Sequence, residues 1–468
     1  MNFASLIFIP FLAVVLLLYW LVPNKFRWVV ILISSYFFYA FLNYWLISLI
    51  IGTTLVSYGG ALLIEKYENK KKIFLILTLI ICFASLFVFK YLDFVIQTTG
   101  KAFSLMGLNV SFKPLNLILP VGISFYTFQT AAYVIDVYRG RIKAERHLGY
   151  YASFVSYFPQ LVAGPIEKAD KLLPELKKEH HLTFEDFSVG LKEFTIGFLK
   201  KIVIADFFVI YVNQIYDSLG SSSGIEIILA TFLFGIVIYA DFSGYSQIAR
   251  GIGKWMGVDL SVNFDRPYLS SSFKEFWHRW HITLNNFFTD YVYIPMGGSQ
   301  KGKVRKYLNI MVVFLLSGLW HGASIHFIIW GAVCGLILVL EDIISPFLWK
   351  NNAKPQLKKI ISIIFVYLII NLCWIFFRCQ SLSEIGTAFS RIFVYFGSGF
   401  DIAFFSTLNI ILLFICLVVL VMSYYLPLLD KTNYLHYGLY FILIVSISIM
   451  YVYHLNQGGE NEFIYFQF

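Results

Sequence analysis

Residues 276–281 read FWHRWH and residues 319–322 read LWHG, and both motifs lie within one window, 276–331. Four of the nine histidines of the chain fall in this window, beside apolar runs such as 310–316. A histidine inside a membrane segment is costly unless it faces a cavity or a partner. A single buried histidine in a helix is more often a hydrogen-bonded structural residue. Four histidines in one window favour a functional site.

The composition is that of a membrane protein. Of 468 residues, 59% are hydrophobic and 13% are charged, whereas about a quarter of the residues in a soluble domain are charged. Apolar runs of about 18–25 residues recur along the chain, and each is long enough to cross a hydrocarbon core of about 30 Å. The sequence therefore predicts an all-α polytopic protein with about 10–12 transmembrane helices in a lipid bilayer. No linker is visible, so one integral domain, 1–468, is expected.

Charged residues predict the topology. The net charge is +9, but the basic residues cluster in short loops such as 65–72 and 139–146. That pattern is typical of cytoplasmic loops, and no nucleic acid is expected as a partner. Lys25 and Arg27 follow the first apolar run, 5–22, so the N-terminus is expected outside the cell. The five cysteines lack CxxC spacing, and neither a disulfide framework nor a zinc site is predicted.

The middle of the chain is less regular than its two ends. Residues 115–137 and 407–425 are predicted spans, whereas 158–166 contains two prolines and a glycine and is predicted to form a re-entrant or interfacial turn. Thr183 is predicted to cap an amphipathic helix that ends at Lys201. Broken backbone at membrane depth is tolerated only where protein or a water-filled cavity surrounds it.

The histidines of the window suit acid–base chemistry. Residues 274–288 contain neither Gly nor Pro and are predicted to form one helix, in which His278 and His281 share a face. Such a pair is able to hold a metal ion, but no Asp, Glu or Cys stands at a supporting spacing, so no metal is predicted. His321 and His326 are about 140° apart around a helix and are not expected to meet on one ligand. A neutral histidine acting as general base on a hydroxyl is predicted, because no Gly-x-Ser-x-Gly motif supplies a nucleophile.

Eight short motifs resemble the membrane-bound O-acyltransferase (MBOAT) family, particularly its bacterial branch of alginate and peptidoglycan O-acetylation and teichoic-acid D-alanylation proteins. They are LPVGISFYTFQ at 119–129, AGPI at 163–166, YADFSGY at 239–245, NFDRPY at 263–268, WHITL at 280–284, DYVYIPMGG at 290–298, LWHG at 319–322 and WIFFR at 374–378. Each motif alone is a weak signal, but their order through most of the chain makes the set specific.

The resemblance implies a ring of helices around a thinned centre, with re-entrant helices and a tunnel through the membrane. It implies that His321 is the catalytic histidine and that His281 is a second, more branch-specific one, lining the tunnel on its cytoplasmic side. His278 stands where relatives often carry Arg and is assigned no role. The implied donor is a cytoplasmic acyl thioester, acetyl-CoA or an acyl carrier, with no tightly bound cofactor.

The leading functional hypothesis is transfer of an acetyl or other short acyl group from cytoplasmic acetyl-CoA across the membrane, for O-acetylation of an extracellular or cell-wall polysaccharide. The resemblance implies a location in the bacterial cytoplasmic membrane and a separate extracytoplasmic acetyltransferase of the SGNH type as partner. Two alternatives stay open: D-alanyl transfer to teichoic acid from a carrier protein, and transport of glycan precursors, although no paired halves are visible. Two interpretations of the basic residues of 301–306 stay open. They are expected either to contact coenzyme A phosphates or the anionic membrane face, or only to set the topology.

The end of the chain, 457–468, is predicted to be a functional tail outside the cell. It begins with a flexible QGG joint, and its two glutamates lie on the outer flank of the last span. Aromatic residues also crowd membrane interfaces, so a simple anchor is the alternative. The tail resembles the C-terminal motif of the small companion subunit of teichoic-acid D-alanylation, where a tyrosine accepts the acyl group. That resemblance implies Tyr465 as an acyl acceptor deprotonated by His321.

Overall fold

The computed structural model describes most of the chain as helices and connecting segments. The described residues are 1, 3–41, 44–108, 113–348, 355–397, 426, 428–429, 433–456 and 463. They form two compact units, Met1–Asp186 with Ile252–Ser261, and Phe187–Gly251 with Val262–Phe468. His281 and His321 both belong to the second unit.

The first unit contains helices that pack through small side chains. Its helices are α1 (Phe8–Leu21), α2 (Arg27–Ala40), α3 (Ile47–Lys66), α4 (Lys71–Leu86), α5 (Leu92–Leu105), α6 (Ile123–Tyr138), α7 (Leu148–Ser156), α8 (Phe158–Leu161) and α9 (Ala169–Lys177). Ser57 and Ala61 on α3 are buried, and α3 packs against α4, α6 and α7. Small residues at these positions allow close helix packing. The Tyr151 hydroxyl of α7 donates to Ser57 Oγ over 2.7 Å, which satisfies two buried polar groups.

The second unit carries the histidine motifs. Its helices are α10 (Phe184–Phe198, whose first turn belongs to the first unit), α11 (Asp206–Tyr216), α12 (Gly224–Trp255, whose last turn belongs to the first unit), α13 (Phe273–Arg279), α14 (Ile282–Phe288), α15 (Lys303–His321), α16 (Ile325–Leu348), α17 (Pro355–Arg378), α18 (Leu382–Phe393) and α19 (Tyr434–Asn456). A π-helical segment, Leu199–Ala205, connects α10 to α11. The short turn 322–324 makes α15 and α16 an antiparallel hairpin.

Six helical segments of the described chain are long and apolar enough to cross a membrane. They are Tyr44–Lys66, Glu68–Leu105, Gly224–Trp255, Ile325–Ser345, Gln356–Arg378 and Tyr434–Val452, and α1 is a shorter apolar helix. No β-strand occurs among the described residues. The prediction of an all-α polytopic membrane protein is therefore confirmed. The predicted span 407–425 lies outside the described residues. The total of about 10–12 crossings, the ring with its tunnel and the single domain stay predictions.

Two local predictions from the middle of the chain have clear outcomes. The predicted span 115–137 is helical only from Ile123, because a turn precedes it: the N–H of Ile123 donates to the carbonyl of Pro120 over 3.1 Å, and Gly122 has a φ of 79°. Thr183 caps α10 as predicted, since its Oγ1 accepts from the N–H of Asp186 over 3.0 Å. This helix continues into the π-helical segment, so its register changes before Lys201.

Candidate functional site

The FWHRWH motif breaks the helix on which it was predicted to lie. α13 ends at Arg279, Trp280 is extended, and His281 has a left-handed backbone with φ 44° and ψ 55°. The prediction of one helix over 274–288 is therefore wrong, and His278 and His281 do not share a helix face. A left-handed conformation costs a non-glycine residue about 1–2 kcal/mol, so other contacts must hold it.

Those contacts come from the segment that begins at Asn263. The carbonyl of Asn263 accepts from the N–H of Ile282 over 2.9 Å, and the N–H of Asp265 donates to the carbonyl of Arg279 over 3.0 Å. The Oδ1 of Asn263 also accepts from the N–H and the hydroxyl of Thr283, over 3.3 and 2.9 Å. The NFDRPY motif thus caps the first turn of α14 and fixes the break.

The same amide sets the tautomer of His281. Its Nδ1 lies 3.1 Å from Asn263 Oδ1. Because the backbone N–H of Thr283 can only donate, the atom facing it is the amide oxygen, and the His281 Nδ1 therefore carries a proton. Nε2 then holds the lone pair. His281 is only 2% exposed and lies outside the six spans, and burial lowers its pKa to about 3. The imidazole is neutral at physiological pH.

His321 is the last residue of α15 and lies among aromatic rings. It is 5% exposed. Its ring centroid is 5.0 Å from that of Trp320, 5.1 Å from that of Trp330 and 5.2 Å from that of Phe377, all at steep interplanar angles. The buried indole N–H of Trp330 has no hydrogen-bond acceptor among the described residues. Water is largely excluded from such an enclosure, which strengthens any hydrogen bond made inside it.

Trp320 lies between the two histidines. Its ring centroid is 5.8 Å from that of His281 and 5.0 Å from that of His321. Phe242 of α12 packs on the other histidine, His281, at 4.7 Å and nearly at right angles. The structure thus brings the WHITL and LWHG motifs, about 40 residues apart in the chain, to one aromatic enclosure.

Two glycines let α15 and α16 cross with their backbones in contact. A Cβ on Gly318 would overlap the carbonyl oxygen of Phe327, and a Cβ on Gly331 would overlap the carbonyl oxygen of Phe314. The ring of Phe327 packs against Gly322 and would collide with any side chain there. This crossing fixes the end of α15 and therefore the position of its terminal histidine.

The other histidines of the window lie apart from this enclosure. His278 is exposed in the last turn of α13. His326 is buried at the start of α16, with its Nδ1 2.8 Å from Ser324 Oγ. In the part of the chain that the structure describes, no group of three His, Cys, Asp or Glu side chains is arranged to hold a metal ion.

Comparison with known proteins decides the family. Residues 143–383 match the membrane-bound O-acyltransferase family. The probable alginate O-acetylase AlgI of Pseudomonas syringae pv. tomato is 37% identical over 397 residues, covering 84% of this chain and 75% of that protein. The chain belongs to the MBOAT family. It is therefore a membrane O-acyltransferase, as its motifs predicted.

The names of other relatives of this MBOAT protein state different acceptors. The peptidoglycan O-acetyltransferase of Helicobacter pylori is 35% identical, over 76% of this chain and 71% of that protein. The teichoic acid D-alanyltransferase of Bacillus subtilis is 26% identical over 52% of this chain and 63% of that protein. Membership in an acyltransferase family favours the enzyme hypotheses over the transporter hypothesis.

The basic loop of this MBOAT protein divides into two pairs. Lys306 Nζ lies 2.6 and 2.7 Å from the carboxylate oxygens of Asp342 on α16, and Arg305 Nε donates to the carbonyl of Met296 over 3.2 Å. Lys301 and Lys303 are exposed. Structural contacts therefore occupy two of the four basic side chains.

Sequence patterns did not single out three features of the second unit. Asn263 lies in a family motif, but its hydrogen bond to His281 depends on a fold contact across 18 residues. Trp330 lies in none of the eight motifs, and its ring meets that of His321 only through the fold. Lys201 was noted only as a helix end, yet its ammonium lies 2.8 Å from a carboxylate oxygen of Asp206 and 2.8 Å from one of Asp241. Tyr465, the predicted acyl acceptor, lies outside the described residues.

Proposed function

We propose that this O-acyltransferase takes a short acyl group, most simply acetyl, from acetyl-CoA on the cytoplasmic side and delivers it across the membrane. The acceptor is an extracellular or cell-wall polysaccharide. Tyr465 in the tail 457–468 relays the acyl group, and a separate extracytoplasmic SGNH-type transferase completes the transfer to sugar. The N-terminus and the tail both lie outside, and the membrane is the bacterial cytoplasmic membrane.

One observation carries the proposal: His281 and His321 both pack on Trp320 inside an aromatic enclosure. Neutral imidazoles in a water-poor site act as general bases without storing charge between turnovers. The names of the relatives, alginate O-acetylase and peptidoglycan O-acetyltransferase, support acetyl as the group and a glycan as the acceptor.

The proposed step balances as follows. An imidazole nitrogen of His321 takes the phenol proton of Tyr465, and the phenolate oxygen attacks the carbonyl carbon of the thioester. The C–S bond breaks, the coenzyme A thiolate leaves and recovers the proton, and an aryl acetate remains on Tyr465. A phenol with a pKa of about 10 needs such a base. The indole N–H of Trp330 is a donor for the oxyanion of the tetrahedral intermediate.

The second candidate is D-alanyl transfer from a carrier protein. The match to the teichoic acid D-alanyltransferase of Bacillus subtilis favours it, but that match covers only 52% of this chain, against 84% for the alginate O-acetylase. The acetyl hypothesis is therefore preferred.

A donor assay on purified protein tests the proposal. The protein in proteoliposomes receives radiolabelled acetyl-CoA or a D-alanyl-loaded carrier protein, and mass spectrometry locates label on the C-terminal peptide. We expect acetyl on Tyr465 from acetyl-CoA, and none in Tyr465→Phe, which keeps the ring and loses only the hydroxyl. Label from the carrier alone would favour D-alanylation. Full polysaccharide acetylation by Tyr465→Phe in cells would rule out the relay and leave the tail as an anchor.

A further inference from the structure

A buried ion cluster lies in the second unit, outside the acyl-transfer chemistry proposed above. Lys201 lies in the π-helical segment between α10 and α11, and its Nζ is 2.8 Å from Asp206 Oδ1 and 2.8 Å from Asp241 Oδ1. The three side chains are 1%, 8% and 2% exposed. Burial alone lowers the pKa of Lys201, but the carboxylates of Asp241 and Asp206 raise it above its ordinary value overall. The lysine therefore stays charged.

A buried ion cluster is a costly way to stabilise a fold, because well-packed apolar side chains often serve as well. Its presence calls for a role that needs a fixed positive charge. The structure supplies one, since Phe463 of the C-terminal tail packs directly on the ammonium of Lys201. The distance from Nζ to the ring centroid is 4.3 Å, which is a cation–π contact.

Phe463 is also held by an aromatic edge. Its ring centroid is 4.7 Å from that of Tyr245, at an interplanar angle of 82°. Only 1% of its surface is exposed. A residue in a C-terminal tail is not ordinarily buried unless something ties it down. Lys201 and Tyr245 together form a seat for this ring.

The seat adjoins the histidine enclosure along α12. Phe242 and Tyr245 are three residues apart and lie on one face of that helix, and Phe242 packs on His281 at 4.7 Å. The next residue, Ser246, accepts from the Nδ2 of Asn263 over 3.4 Å. The ring of Phe463 therefore packs about one helical turn along α12 from the ring that contacts His281.

We propose that Lys201 and Tyr245 are positioning residues that seat Phe463 and so hold the C-terminal tail at the acyl-transfer site. The proposed acyl acceptor, Tyr465, follows Phe463 by two positions in the sequence. The inference rests on the proposed function only for what that tyrosine does. The seating itself stands on the contacts of Phe463.

The test separates seating from catalysis. Purified full-length protein in detergent is digested with carboxypeptidase, and mass spectrometry locates the residue at which trimming stops. We expect trimming of the wild type to stop at Phe463, and at the same residue in Tyr465→Phe. Phe463→Leu keeps the apolar side chain but loses the aromatic face, and should be trimmed past 463 at least tenfold faster. Phe463→Trp keeps an aromatic face and should restore the stop.

Kinetics supply the second readout. Phe463→Leu and Tyr245→Leu should each lower kcat for acyl transfer at least tenfold with the KM for acetyl-CoA unchanged, and the double variant should be no worse than either. Lys201→Arg, which keeps the charge, should retain the trimming stop. The same stop in Phe463→Leu as in the wild type overturns the seat. An unchanged kcat in Phe463→Leu, beside an inactive Tyr465→Phe, overturns the role of the seat in acyl transfer. Activity in Tyr465→Phe with an intact stop overturns the relay but leaves the seat.

Discussion

The Nδ1 of His281 donates to the Oδ1 of Asn263 over 3.1 Å, and this hydrogen bond determines which nitrogen of the imidazole is basic. The same oxygen accepts from the N–H and hydroxyl of Thr283. One amide therefore orients a buried imidazole and caps the helix that follows it. A change at residue 263 is expected to alter chemistry and backbone together.

The first prediction concerns His321. His321→Ala should lower acyl transfer by about 10²–10⁴-fold, the usual effect of losing a general base, while the protein still inserts and purifies normally. The measurement is transfer from labelled acetyl-CoA by purified protein. His278→Ala is the matched control, because that histidine is exposed and should leave the rate unchanged. Wild-type turnover in His321→Ala would contradict the assignment of His321 as the general base.

The second prediction concerns His281. Asparagine tolerates a left-handed backbone far better than alanine does, so His281→Asn should keep the break after α13 while removing the imidazole. We expect a smaller or donor-dependent loss of acyl transfer than for His321. The measurement is kcat/KM for acetyl-CoA, with thermal unfolding of His281→Asn and His281→Ala alongside. Unchanged affinity and turnover in the asparagine variant would mean that His281 only packs.

The third prediction is a pH dependence. The pKa of His281 is about 3, so in the wild type this imidazole does not protonate between pH 5 and 8. Asn263→Asp places a carboxylate on Nδ1, and an opposite charge at this distance raises a histidine pKa by about 1–3 units. Protonation below that raised pKa removes the base, so kcat/KM should fall between about pH 6 and 4 in the variant only. Superimposable pH profiles of the two proteins would contradict it.

The fourth prediction concerns the helix crossing. Gly318→Ala or Gly331→Ala places a methyl group on a carbonyl oxygen of the facing helix, which overpacks the crossing and costs about 1–3 kcal/mol. Thermal unfolding in detergent should shift downward and acyl transfer should fall. Gly386→Ala on α18 is the control, since its Cβ meets no atom within 4 Å and alanine is the better helix former. Equal midpoints for all three variants would refute the tight crossing.

The fifth prediction distinguishes the two pairs in the basic loop. Lys301→Ala with Lys303→Ala should raise the KM for acetyl-CoA several-fold at low ionic strength and not at about 1 M salt, because exposed charges are screened. Lys306→Ala should instead lower stability slightly, since it loses a half-exposed ion pair to Asp342. If the KM for acetyl-CoA changes neither with salt nor with the double substitution at Lys301 and Lys303, the loop serves only as a topology determinant.

Much of this architecture follows from the sequence because hydropathy depends on local composition. The long apolar runs of the described chain and the cap at Thr183 are local signals, and they have counterparts in the structure. The break at His281 was missed for the opposite reason. No Gly or Pro marks it, and the contacts that impose it come from Asn263, far along the chain.

The residues of the site were also predictable from the sequence only in part. Motif resemblance singled out His281 and His321, but only three-dimensional packing puts Trp320 between them. The contact of Phe463 with Lys201 has no sequence signature, since the two residues are more than 250 positions apart and no motif pairs them.

The contact of α15 with α16 also limits how this enzyme can be re-engineered for bulkier acyl donors. Parting the two helices would not make useful room near His321, because it would break their backbone contacts at Gly318 and Gly331. Only three residues connect the helices, so there is little slack for such a movement. Any such movement would carry the histidine away with its helix. Changes of donor preference will have to come from trimming rings such as Trp330 and Phe377, one side chain at a time.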